Sequence, residues 1–443
     1  MATLRRAMKL PHATALVIGT IIGASIFVQP SEVTTQVHSV QAVLLVWLLS
    51  GAVTLIGALI CAELASMFTR TGGVYVYLSE SFHPALGFLW GWAMLLTMHS
   101  GILAAIATVF ARYAGFFVPL DATGSKIVAI GVIVLLSAIN YVGVQHGARV
   151  QTLFTAGKVL AVVLIVLLGF VLGGRVEQHF VGSSTVQGET LGGFLRAMVA
   201  GLFTYGGWHM VTYSSEETVE PAKTIPRALV IGTIAVTAAY MAMNAVYLYV
   251  MPLDQVAASS RVAADLADTL LGSGGAAVMS AIVMFSTFGG LTGIVLAGPR
   301  VYYAMAQDGL LFRWFGALHP RLGTPHRAIV LQAVWSSVLV ATGTFRALFT
   351  RVVYTEWLFF GLLAIGLILL RRRADLTRQY TIWGYPVLPL VFAFASFAIV
   401  INTLIAEPKD AAIGLSLVLL GWPIYMLWVR RSPRDLRPLT SDL

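Results

Sequence analysis

Apolar runs of about 20 residues, separated by short polar stretches, recur along almost the whole chain, and about 20 apolar residues make one helical crossing of a bilayer. Such runs fall at 13–36, 40–66, 84–112, 126–144, 150–172, 192–215, 226–251, 275–304, 328–345, 354–370, 385–405 and 411–429. Charged residues collect between them, as the cost of a charge at mid-bilayer requires. The pattern predicts an all-α integral membrane protein with about twelve transmembrane spans. Its longest polar stretches, 173–190, 252–274 and 305–327, are too short for a separate domain, so residues 1–443 read as one membrane domain. Segment 72–83 is too polar to span and is expected at the inner interface. Residues 255–271 read as a helix capping the outer side.

Composition sharpens this picture. Hydrophobic residues make up 58% of the chain and charged ones 11%, against roughly 25% charged in a soluble domain. Lipid must therefore be the solvent for most of the exterior. The net charge of +9 lies on loops rather than on a polar domain, which argues against nucleic acid. Its distribution carries a topological signal. Arg5, Arg6, Lys9, Arg70, Arg149, Lys223, Arg300, Arg371, Arg372, Arg373, Arg430 and Arg431 fall on one side. The other side is sparser, with residues such as Arg112, Lys126, Arg175, Arg261 and Lys409. The Lys and Arg asymmetry places both termini in the cytoplasm of a multi-pass inner-membrane protein. Arg5, Arg6 and Lys9 before an apolar run imitate a signal peptide. No small-residue cleavage site follows, and Gly19 and Gly23 interrupt the run, so it reads as a retained first span. Cys61, the one cysteine, lies within a span as a small buried apolar residue.

Two runs are interrupted near their middles. The first contains Gly23-Ala24-Ser25 and the sixth Phe203-Thr204-Tyr205-Gly206-Gly207-Trp208. They sit five spans apart, as an inverted repeat of five plus five spans would place them. Paired Gly-interrupted spans in corresponding positions point to a midplane binding site in secondary transporters. A half-helix starting near Ser25 offers free N–H groups and a positive dipole end to a carboxylate. Carbonyls of Ile21 and Ile22, ending the preceding half, suit an ammonium. The competing reading is that these glycines only let helices approach closely. It explains either break alone better than it explains the pair.

At these residues the chain resembles the amino acid–polyamine–organocation superfamily, and within it the L-type amino acid transporters. The matching pieces are Ile-Ile-Gly-Ala-Ser-Ile-Phe at 21–27, Glu63 in Cys-Ala-Glu-Leu, Thr71-Gly72-Gly73 with Tyr75 and Tyr77, and Thr155-Ala156-Gly157-Lys158. Gly201 to Trp208, Glu216-Glu217, Pro221, Pro299-Arg300, Asp308-Gly309 and His319-Pro320 follow in order. The resemblance implies a LeuT-like fold, with inverted repeats at about 10–172 and 190–372 and two additional spans at about 385–429. It implies that the substrate carboxylate meets main chain around Ala24, Ser25 and Ile26, and its ammonium the carbonyls of Ile21, Phe203 and Gly206. Ile22, Gly23 and Gly207 are further candidate contacts, and Phe203 matches an aromatic gate. Two departures stand out. Ser25 replaces the family's usual glycine, adding bulk and a hydroxyl. His209 stands where asparagine is frequent, either contacting substrate or serving as a hydrogen-bonded structural residue. Animal L-type proteins join a single-pass partner through a cysteine outside the third and fourth spans; this chain has none there, so no covalent heavy-chain partner is expected.

Lys158 lies in an otherwise apolar run. A lysine at that depth is costly unless paired, although one about two turns from a span end can also snorkel to the interface. By resemblance it replaces the sodium of sodium-coupled relatives, linking carbonyls of the first span to hydroxyls of the eighth, Ser286 or Thr287. Both sodium-independent exchange or uniport and proton coupling stay open. The acidic residues expected in or near spans are Glu63, Glu216 and Glu217, all at inner ends. The pocket should then be apolar and aromatic, suited to a neutral L-amino acid carried by alternating access. The alternative is a proton-coupled transporter of cationic amino acids or polyamines. His12, His99 and His209 have no metal spacing, no nucleophile–base pair appears, and no Gly-rich phosphate loop is present. An enzyme, a bound metal or cofactor, and ATP-driven transport are therefore not expected. Neither charge rings nor repeated filter motifs suggest a channel.

Overall fold

The computed structural model describes residues 8–142, 147–176, 190–272, 274–312, 314–320, 322–343 and 345–431. Arg5 and Arg6, on which part of the orientation argument rests, lie outside the described residues, as does most of the 173–190 stretch. Every regular element among the described residues is helical. Among the described residues, nine helices are long and apolar enough to cross a membrane. The two broken segments and a 17-residue helix at His326–Thr342 bring the crossings to the expected twelve.

The first segment comprises α1 (Leu10–Ile21), a 3₁₀ turn at Ser25–Phe27 and α2 (Gln29–Thr34). Pro30 sits in the first turn of α2, where a missing N–H costs nothing. α3 (Val40–Met67) starts where Ser39 accepts the Ala42 N–H. Gly72 and Gly73, both at positive φ, then turn the chain into the short α4 (Val74–Ser81). At Gly73 a Cβ would lie 2.2 Å from Thr212 Oγ1, so both the turn and the close packing demand glycine. The expected interfacial segment is thus an eight-residue helix. α5 (Pro84–Ala93) continues through a π-helical turn at Met94–Met98 into α6 (His99–Ala114), followed by α7 (Ala122–Val142) and α8 (Gly147–Leu172).

α9 (Leu191–Thr204) starts where Thr190 accepts the Gly193 N–H and ends at the second break, beyond which a 3₁₀ segment runs over Trp208–Glu217. α10 (Pro221–Val250) follows, then α11 (Leu253–Ala258) and α12 (Val262–Leu271), two short helices where the sequence suggested one cap. α13 (Gly275–Gln307), α14 (His326–Thr342), α15 (Phe345–Leu370), α16 (Val387–Ala406), α17 (Pro408–Leu419) and α18 (Gly421–Arg431) complete the bundle. α1 packs against α8, α10 and α13, and α9 against α3, α15 and α16. The two broken segments therefore run through the interior, away from lipid.

Candidate functional site

The two breaks meet. At the first, Ile22 leaves helical geometry (ψ 86°) and Gly23 N–H turns back to the Ile21 carbonyl at 2.7 Å. Among the described residues, no acceptor meets the N–H groups of Ala24, Ser25 or Ile26. At the second, Gly206 N–H donates to the Phe203 carbonyl at 3.0 Å and Gly207 takes a left-handed φ of 97°. A Cβ at Gly207 would sit 2.9 Å from the Thr20 carbonyl oxygen, so glycine alone lets the second break lie on the first. The Thr20 hydroxyl, 3.2 Å from the Gly207 carbonyl, bonds more closely to Leu16 O within its own helix.

Tyr240 of α10 braces both breaks. Its buried hydroxyl lies 2.8 Å from the Ile21 carbonyl and 3.2 Å from the Thr204 carbonyl. Ile21 O, expected to receive an ammonium, thus already faces the Tyr240 hydroxyl and the Gly23 N–H. Tyr113 donates to the Phe27 carbonyl at 2.8 Å and holds the far half of the first segment. His99 Nε2 donates to the Ile294 carbonyl at 2.7 Å, tying α6 to α13.

A narrow cavity lies between the breaks. The first contributes Ile21, Gly23 and Ser25 to its wall, and the second Phe203, Gly206 and Gly207. Ile102 and Ile106 of α6, Met210, Ile294 of α13, and Val352 and Glu356 of α15 close the rest. Ser25 and Phe203 are 4% and 7% exposed, so the cavity is shut. Ile22, Ala24 and Ile26 are buried beside it, outside the lining. His209 also lies outside the lining, in an aromatic cluster with Trp90, Trp208, Tyr213 and Phe360; the Phe360 ring is 5.0 Å away.

Glu356 corrects the sequence reading, which found no acidic residue for the pocket. That reading named only Glu63, Glu216 and Glu217 and passed over Glu356, although it lies within the run 354–370. The helix begins at Phe345, which places Glu356 about three turns inside, 6% exposed and facing the cavity.

Lys158 does not snorkel. It is 1% exposed, and its ammonium donates to the Gly19 carbonyl of α1 at 3.1 Å. A Cβ on Gly290 of α13 would come within 3.2 Å of Nζ, so the lysine ties α8 to α1 and lies close against α13. Thr287 donates instead to the Val283 carbonyl at 2.6 Å, and the buried Ser286 hydroxyl meets no partner among the described residues.

Polar contacts seal the end of the bundle that carries Met8. Met8 pairs with the main chain of 217–219, its N–H donating to Glu217 O at 3.0 Å and its carbonyl accepting the Val219 N–H at 2.9 Å. Glu217 pairs with Arg300 at 3.3 Å, and Glu216 accepts the Thr71 N–H. Asp308 accepts from the Tyr75 hydroxyl at 2.7 Å and lies 3.5 Å from Arg70. Burial raises the Glu80 carboxyl above the usual range in this cluster, opposed by Arg70. The fully buried Glu63 takes a bidentate pair from Arg371 at 2.7 and 2.6 Å and the Ile382 N–H at 2.8 Å.

Two helices broken at facing glycines around a closed interior cavity are the architecture of a secondary transporter. A sequence profile described as amino acid permease matches residues 8–428, and the chain belongs to that family, with its LeuT-like fold. Its relatives include the large neutral amino acids transporter small subunit 2 of Homo sapiens. That protein is 33% identical over 439 residues, covering 96% of this chain and 81% of its own. The Asc-type amino acid transporter 1 of Mus musculus is 32% identical, covering 99% of this chain and 84% of its own. The serine/threonine exchanger SteT of Bacillus subtilis (strain 168) is 31% identical, with 95% and 96% covered.

Proposed function

We propose that this protein carries neutral L-amino acids across the cytoplasmic membrane by alternating access, as a sodium-independent exchanger or uniporter. The observation that carries the reading is the pairing of unanswered N–H groups at Ala24, Ser25 and Ile26 with the facing break at Phe203 and Gly206. The N–H groups would bind the substrate carboxylate. The ammonium would lie toward the carbonyls of Phe203 and Gly206, with Ile21 O as a shared acceptor. Phe203 would lift to open the cavity and close over the bound side chain. Two of the relatives, a large neutral amino acids transporter and a serine/threonine exchanger, support this substrate class.

In this reading residues 10–172 and 190–372 are repeats that rock about the fixed site, with 385–429 appended. The end carrying Met8 is cytoplasmic, and its polar contacts form the inner gate. Lys158 supplies a fixed cation to α1 in place of sodium. Cys61, the one thiol in the chain, is fully buried, which supports a carrier without a disulfide-linked partner.

Binding tests this directly, because a ligand that binds only the folded state raises its melting temperature. In sodium-free buffer, neutral L-amino acids should stabilise the detergent-solubilised protein in proportion to concentration. Stabilisation by polyamines or lysine alone would overturn the substrate class.

A further inference from the structure

The wall that α15 presents to the cavity holds a carboxyl group that no charged group among the described residues pairs with. Glu356 is 6% exposed and lines the same cavity as Ser25, Phe203 and Gly206. Among the described residues it has no hydrogen-bond or ion-pair partner. The other carboxylates packed within the bundle contrast with it. Glu63 is held by Arg371 and the Ile382 N–H. Asp410 is held by Arg351, which lies on α15 itself. Lys158 is committed to the Gly19 carbonyl and His99 to that of Ile294.

A buried acid is costly unless protonated, paired or hydrogen-bonded. Where the protein supplies no partner and the group faces a binding cavity, whatever enters the cavity can supply one. The neighbouring walls offer little competition. Ile102, Ile106, Met210, Ile294 and Val352 are apolar, and the hydroxyls of Thr20 and Thr204 are turned to Leu16 O and Ala200 O. Ser25 sits at the main-chain break where the substrate carboxylate would lie. Glu356 is then the polar side chain left to meet the substrate's own side chain.

We infer that Glu356 is a specificity residue, selecting small neutral amino acids whose side chain ends in a hydrogen-bond donor, a hydroxyl or amide, over apolar isosteres. This rests on the cavity being a neutral amino acid site and names the subclass it prefers. In either protonation state Glu356 keeps an oxygen that accepts such a donor. A long cationic side chain would satisfy the same carboxyl, so lysine is included among the competitors.

Threonine and valine are nearly isosteric and differ in the donor, so they form the test pair. A site built to hydrogen-bond a hydroxyl discriminates against an analogue lacking it. The full chain is reconstituted in liposomes, and uptake of labelled alanine is competed with unlabelled threonine or valine. Wild type should prefer threonine about tenfold or more, the difference expected when one hydrogen bond to a charged group is lost. Glu356→Leu should bring the two competitors within about twofold of one another, whatever its residual rate of alanine uptake. Glu356→Gln, which keeps an accepting oxygen, should fall between.

An unchanged threonine-to-valine ratio in Glu356→Leu overturns the inference. So does loss of alanine uptake in both variants when they are correctly inserted, which would place Glu356 on the substrate ammonium or in the scaffold. Lysine competing better than threonine in wild type would also overturn it. If neither variant inserts, the wild-type ratio decides, because equal affinity for threonine and valine leaves no preference to assign. Failure of wild type to transport any amino acid would instead strike at the proposed function.

Discussion

Replacing Tyr240 by phenylalanine removes one oxygen from the point where the two broken helices meet. That hydroxyl is fully buried and reaches the carbonyls of Ile21 and Thr204. Ile21 O keeps the Gly23 N–H, so its loss is partial. Thr204 O ends α9 and has no other donor among the described residues, so it is left buried and unanswered. An orphaned buried acceptor costs about 1–3 kcal/mol, and each 1.4 kcal/mol is a factor of ten in an equilibrium. Because both carbonyls lie at the breaks, the loss should appear in substrate handling as well as in stability. Tyr240→Phe should melt a few degrees lower and weaken amino acid binding roughly tenfold, read from concentration-dependent thermal stabilisation and uptake. Wild-type melting and wild-type affinity together would refute the idea that Tyr240 fixes the relative position of the breaks.

Ser25→Trp fills the cavity at the first break and should abolish uptake while the protein still inserts and elutes as a single species; normal uptake would remove that break from the site. Lys158→Ala removes the buried cation on the Gly19 carbonyl and should depress transport strongly. Wild-type rates in that variant across pH would count against any coupling role. Glu63→Gln breaks the bidentate pair with Arg371. Loss of one partner of a buried pair costs about 3–5 kcal/mol, with the lower end expected because the Arg371 side chain keeps 19% exposure. Reduced yield and a lower melting temperature should follow, and an unchanged melt would mean that the pair contributes little.

The broken helices were legible in the sequence because their signal is local. Gly23-Ala24-Ser25 and Gly206-Gly207 interrupt apolar periodicity within a few residues, and a helix cannot pass them unchanged. Segment 72–83 stood out only as too polar to span, and the eight-residue helix it contains was not read. Tyr240 was not, because a tyrosine in an apolar span looks alike whether it faces lipid or braces a carbonyl 219 residues away. Glu356 lay within the run 354–370 and was passed over, because which side of a helix faces a cavity depends on packing that the apolar pattern does not show. Lys158 was found as an anomaly; it bonds a carbonyl of the first segment, Gly19, while which hydroxyls of α13 come near it depends on packing between distant helices. His209 drew attention through its residue type, and only its aromatic neighbours set it behind the cavity wall.

Counterflow in reconstituted liposomes tests the central claim most directly. Labelled neutral amino acid is supplied outside vesicles that are empty or preloaded with unlabelled substrate, with sodium and pH gradients imposed independently. A sodium-independent exchanger or uniporter should accumulate label faster in preloaded vesicles, respond to neutral L-amino acids inside, and ignore sodium. Uptake that requires a sodium gradient, or that only cationic amino acids or polyamines stimulate, would contradict it.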